Sequence, residues 1–213
     1  MPHFPPIPGP PRWLAVAEAD GQRCAGLVIL TGVVLGAGLV KLFSGPGGQT
    51  SRFSLELVVL VVLQLVGPLI VTLLAIVRLN PLWQERGERE GGTAWRSVVL
   101  PCLPLSLLLM LMFIVAAVLA GVLASPRGDL VGEVRELLGG LRGIDVLRTL
   151  VRSSLFLVAA SAWSLRLHAI GRRQQHQPGA IQNDSLMQSV TLVLVLKLFW
   201  IMGFDPIRLS LPA

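Results

Sequence analysis

Residues 97–125, SVVLPCLPLSLLLMLMFIVAAVLAGVLAS, run for 29 positions without a charged side chain. As an α-helix rising about 1.5 Å per residue, this stretch exceeds the roughly 30 Å hydrocarbon layer of a bilayer and spans it even when tilted. Pro101 and Pro104 fall near its start, where a missing backbone donor costs least. Ala116, Ala120 and Ala124, joined by Ala117 and Gly121, give it a face of small side chains on which another helix can pack. The composition agrees with this reading: 53% of the 213 residues are hydrophobic, 14% are charged, and the mean hydropathy is +0.72. A soluble domain carries about 25% charged residues. The apolar residues come in long blocks, which excludes a soluble enzyme, a disordered tail and a disulfide-rich secreted module. The gaps between blocks are too short for a separate soluble domain.

Four further blocks lie on either side. Cys24 to Phe43 is interrupted only by Lys41, and it contains Gly32-Val-Val-Leu-Gly36, a spacing that lets a neighbouring helix approach closely. Leu57 to Val77 is uncharged and ends at Arg78; Gln64 is its one strongly polar residue, and Gly67-Pro68 is expected to kink it. Ser153 to Leu165 is uncharged, after which Arg166 and His168 precede Ile170, so 153–170 spans if Arg166 snorkels. Ser185 to Phe204 carries Gln188 and Lys197, the lysine near enough to the end to reach outward. The predicted spans are 24–43, 57–77, 98–124, 153–170 and 185–204. The expected fold is all-α: a polytopic integral membrane protein with five transmembrane helices, or four if one of the last two lies on the surface.

The connections carry their own signals. Residues 1–23 open with six prolines in eleven positions, and they read as an extended, Pro-rich polar arm without a secretory signal pattern. Residues 78–97, RLNPLWQERGEREGGTAWRS, read as a polar connection that begins in a turn at Asn80-Pro81. Over 126–152, Leu130, Val134, Leu137, Leu141, Ile144 and Val151 recur at helical spacing, with Asp129, Glu133, Glu136, Asp145 and Arg148 between them. This predicts an interfacial amphipathic helix over 129–151, a linker or a docking surface, weakened by Gly139, Gly140 and Gly143. The membrane domain thus occupies 24–204, with a short tail over 205–213.

The net charge is +6, but the 16 Arg and 2 Lys are spread over every polar segment. A nucleic-acid binder gathers its cations on one face. Here they flank apolar blocks, where they meet lipid phosphates, and no nucleic-acid partner is expected. With Tyr absent, the aromatic belt falls to Trp83, Trp95, Trp163 and Trp200 at block edges. Five spans place nine basic residues on each side; discounting the interfacial loop puts the N-terminus in the cytoplasm.

No catalytic motif is present: there is no GxSxG, HExxH or Walker sequence, and the chain reads as non-enzymatic. His3, His168 and His176 are isolated, and only His168 lies near the membrane, as a snorkelling side chain or an axial ligand to a chlorophyll magnesium. Cys24 and Cys102 begin the first and third spans on one side, as packing residues or, less expectedly, a disulfide. Arg166 and Lys197 are the internal charges, and no acidic residue is mid-membrane. The sequence therefore points to a non-catalytic accessory or structural subunit of a larger membrane complex, photosynthetic or respiratory. It would sit in a bacterial inner or thylakoid membrane, with other membrane subunits and lipids as partners. The competing reading is a small oligomeric transporter or channel.

NPLWQERG (Asn80 to Gly87), followed by LPCLPLSLLL (Leu100 to Leu109), resembles cyanobacterial HpsJ-like membrane proteins, in which N-P-x-W follows one span and a proline-containing stretch opens the next. The resemblance covers about 30 of the 213 residues. The chain lacks that family's long Gln-rich cytoplasmic helix and has an extra apolar segment before the motif. The resemblance implies an accessory protein of cyanobacterial polysaccharide export.

Overall fold

The computed structural model describes residues 12–43, 66–124, 143–173 and 178–203, and all of them are helical. In chain order the helices are α1 (Arg12–Phe43), α2 (Gly67–Glu90), α3 (Ala94–Ala124), α4 (Gly143–Arg173) and α5 (Pro178–Gly203), with a single 3-10 turn, Gly91–Thr93, joining α2 to α3. Four helical stretches are long and apolar enough to cross a membrane: Arg12–Leu42, Gly67–Ala124, Val146–Gly171 and Asn183–Gly203. The second of these holds both α2 and α3. The described residues are all helical, and the chain is a multi-pass membrane protein.

The helices overrun their expected limits. α1 starts at Arg12, not Cys24, so 12–23 is helix and not arm; Trp13-Leu14-Ala15-Val16-Ala17 offers nothing to break it. Residues 1–11 and 204–213 lie outside the described residues, as does 57–65 of the second expected span. α2 does not end at Arg78. It runs through Asn80-Pro81 to Glu90, because Leu79, Asn80, Trp83 and Gln84 are all buried and tertiary packing outweighs the local turn preference. α4 already begins at Gly143, so residues 143–151 are its first turns and not part of a separate interfacial helix; 129–142 lie outside the described residues.

Paired residues give the directions. Gly21 approaches Leu105, Gly32 approaches Phe113 and Gly121 approaches Val40, so α1 and α3 run parallel. Arg86 meets Asp20 and Glu90 meets Arg12, so α2 runs opposite to α1. Asn80 meets Ser164 and Glu88 meets His168, which sets α4 parallel to α2. Ser164 meets Ser185 and Phe156 meets Trp200, so α5 returns against α4. The direction alternates from α1 to α5.

The reversal between α2 and α3 needs one special residue. Gly91 has φ 55°, a conformation that a β-carbon disfavours, and its N–H bonds back to the Gly87 carbonyl. The core lies where α1, α2, α3 and α4 converge, around Val28, Ile76, Leu79, Trp83, Leu109, Phe113 and Phe156. Trp83 is 1% exposed and belongs to this core, not to an interfacial belt.

α1 and α3 meet backbone to backbone. A Cβ on Gly32 would lie 2.8 Å from the Phe113 carbonyl oxygen and 3.1 Å from the Ala116 Cβ. A Cβ on Gly36 would fall within the Ala117 peptide unit. Hydrocarbon gives apolar helices no reason to leave it, so close van der Waals contact between the two backbones holds such a pair. Gly36→Leu should therefore force α1 off α3 at a cost of about 2 kcal/mol or more, seen as a lower melting temperature in detergent and faster proteolysis. An unchanged melting temperature would show that the two backbones do not meet there.

Candidate functional site

α4 is amphipathic in an inverted sense. Ile144, Leu147, Val151, Leu155 and Ile170 point outward, while Thr149, Arg152, Ser153, Ser161, Ser164 and His168 are buried. At about 1.5 Å per residue, the stretch from Thr149 to His168 covers nearly the full thickness of a hydrocarbon layer. In water the apolar face of such a helix would turn inward; here lipid takes it and the bundle takes the polar face.

Small polar side chains from three other helices meet that face. Ser164 Oγ donates to Asn80 Oδ1 on α2 at 2.6 Å. Its proton is then committed, so the 3.1 Å contact with Ser185 Oγ on α5 has Ser185 as donor. Nearer the other end, Ser106 Oγ on α3 donates to Ser154 Oγ at 2.7 Å, which donates on to the Leu150 carbonyl at 2.9 Å. Among the described residues, Asn80 Nδ2, Gln84 Nε2, Ser153 Oγ and Ser189 Oγ are buried on this seam without a hydrogen-bond partner. Each such orphan costs roughly 1–3 kcal/mol unless water or a ligand satisfies it.

Two cations belong to the seam. Lys197, expected to reach outward, is 5% exposed, and Arg152, expected in the connection, is 1% exposed. The correction follows from which way each residue faces: both stand on the sides along which α4 and α5 pack. The Arg152 guanidinium lies 5.3 Å over the Trp200 ring, which meets Phe156 edge-on at 6.3 Å. Arg166 is exposed, as snorkelling requires, and stacks 5.9 Å over Trp163.

The opposite end is closed by an ion pair that the sequence reading missed. Arg86 Nη1 and Nη2 each donate to one Asp20 carboxylate oxygen at 2.6 Å. Asp20 is 2% exposed. Arg86 Nη1 also reaches the Ser97 carbonyl at 3.5 Å. That carbonyl is the one whose helical partner would be the N–H at position 101, which is proline, so Arg86 takes over an acceptor that Pro101 leaves.

The remaining candidate residues fall as follows. His168 is buried, and its Nε2 lies 3.4 Å from Glu88 Oε1, a contact between α4 and the end of α2. Gly32, Gly36, Ala116 and Ala117 meet one another across α1 and α3, with Ala120 buried on the same helix and Ala124 half-buried at its last residue. Cys24 and Cys102 are free, buried thiols, and Cys102 Sγ donates to the Val98 carbonyl at 3.0 Å. Among the described residues no three His, Cys, Asp or Glu side chains are grouped to hold a metal.

Removing one partner of a buried, forked ion pair leaves the other charge desolvated and costs about 3 kcal/mol. Asp20→Leu and Arg86→Met should each lower thermal stability clearly, whereas the double substitution should recover most of the loss. Strictly additive losses would show that the two groups do not interact. No protein-family model matches the chain, and no curated protein matches it, so the functional reading rests on its geometry.

Proposed function

We propose that this protein is a non-catalytic accessory or structural subunit of a larger membrane complex, crossing the bilayer five times. The observation that supports this best is the use of its interior polar groups. Asp20 with Arg86, Asn80 with Ser164 and Ser185, and Ser106 with Ser154 each fasten one helix to another instead of converging on one reacting centre. Hydrogen bonds of this kind contribute about 1 kcal/mol each and fix the register of a bundle. Its outward surfaces are apolar: Leu30, Val34 and Leu42 on α1, and Leu198, Phe199 and Met202 on α5. Such faces suit lipid or the helices of neighbouring subunits.

Extraction in a mild detergent, native separation and mass spectrometry of what co-migrates test the proposal. The expected outcome is a stoichiometric set of other membrane subunits, whose identity assigns a photosynthetic, respiratory or polysaccharide-export setting. A monodisperse chain without stoichiometric partners would overturn it.

A second reading, a small oligomeric transporter or channel, is favoured by the four orphaned polar atoms and the two buried cations along the seam. Ionisable and polar groups at membrane depth commonly mark a pathway. The subunit reading predicts that purified protein in liposomes carries no more solute than empty liposomes. Saturable flux that is lost on replacing Gln84 with Leu and Ser189 with Ala would reverse the order of the two readings.

A further inference from the structure

We infer that the cleft between the start of α1 and the α2–α3 turn binds the headgroup of one anionic phospholipid. The cleft holds about 310 Å³, and Arg12, Trp13 and Val16 of α1 face Glu90, Arg96 and Leu100 across it. It lies at the polar end of the bundle that also carries the Asp20–Arg86 pair.

The charges are unbalanced in favour of an anion. Two arginines line the cleft against one carboxylate; the Arg96 guanidinium lies 5.5 Å over the neighbouring Trp95 ring, and the Arg12–Glu90 contact is long, 3.8 Å, with the arginine side chain 91% exposed. Arg12 is thus loosely held, and a phosphodiester offers two non-bridging oxygens that the forked donors of arginine match. The starts of α1 and α3 bring partial positive charge to the cleft, which the end of α2 at Glu90 partly offsets.

The hydroxyl groups narrow the chemistry further. Thr93 Oγ1 already donates to the Glu90 carbonyl at 2.9 Å, and Ser97 Oγ to the Ala94 carbonyl at 3.1 Å. Both line the cleft with only acceptor lone pairs left to offer. In this arrangement they accept rather than donate, which suits the hydroxyl protons of a glycerol headgroup.

The apolar half of a lipid is provided for as well. Val16 and Leu100 form the floor. Below Leu100, at helical spacing on α3, Leu103, Leu107 and Leu111 are exposed in one stripe that leads from Arg96 toward the middle of the bilayer. Trp13, half-buried at the cleft, offers an indole ring, a group that favours the level between headgroups and acyl chains. A free anion would use the arginines alone; a phospholipid uses the arginines, the hydroxyl acceptors and the leucine stripe together.

Native mass spectrometry of the intact protein in detergent, titrated with phosphatidylglycerol, phosphatidylcholine or inorganic phosphate, tests this. Phosphatidylglycerol should be retained about tenfold better than phosphatidylcholine, and Arg12→Gln combined with Arg96→Gln should remove that preference, given the attraction of each interfacial cation for an anionic lipid. Circular dichroism should show the helical content unchanged. Arg89→Gln combined with Arg166→Gln, which removes two cations at the same end of the bundle but outside the cleft, should leave binding within about twofold if the cleft and not diffuse charge is responsible. Equal retention of the two lipids, or retention untouched by the Arg12/Arg96 pair, would overturn the inference. Inorganic phosphate that binds and displaces the lipid at similar concentrations would also overturn it, by making the cleft a free-anion site.

Discussion

A helix surrounded by hydrocarbon has to turn its polar side chains toward protein, and α4 is where this chain meets that constraint most heavily. Its serines, threonine, histidine and arginine could not face lipid, so α2, α3 and α5 have to supply partners for them. Those three helices do so with side chains of matching modesty: an asparagine and serines. The bundle is arranged around α4's inner face, and large apolar side chains are left on the outer faces by the same rule.

Two kinds of contact share the work of holding the helices in place. Where Gly32 and Gly36 of α1 meet α3, the contact is backbone on backbone, through glycine and alanine. It is short-ranged, so it defines a distance sharply but tolerates small sliding. The Asp20–Arg86 fork acts differently. Leaving either charge alone costs several times what a single serine hydrogen bond contributes, so one ion pair outweighs the individual polar contacts of the seam in setting how α1 stands against α2. The fork sits at the bundle end, where Arg86 keeps some contact with water, which lowers the desolvation cost of keeping a full charge there.

The apolar blocks were legible because a membrane span needs only length and the absence of charge; α3 covers the expected 98–124 and α5 covers 185–203. Boundaries were less legible where packing overrules local preference, as at Asn80-Pro81, a turn signal that the burial of Trp83 and Gln84 carries into the middle of a helix. The period of α4 could be read from Ile144 and Val151, but the direction of its polar face could not. The interfacial rule assigns polar residues to water, and the inversion appears only when the helix is surrounded by others. Lys197 shows the same limit: its place in the chain suggested a helix end, whereas its rotation about the axis decides what it meets. Asp20 and Arg86 are separated by 66 positions, and nothing local to either names the other.

That separation has a bearing on biogenesis. The chain is made from its N-terminus, so Asp20 enters the membrane region before Arg86 has been synthesised. Until α2 arrives, the carboxylate has no guanidinium to face, and it must stay hydrated at the bilayer surface. The glycine face of α1 likewise waits for α3. α1 is therefore an early but unfinished element, parked at the membrane edge by its own charge, and the tight hairpin of α2 and α3 delivers both of its partners almost together.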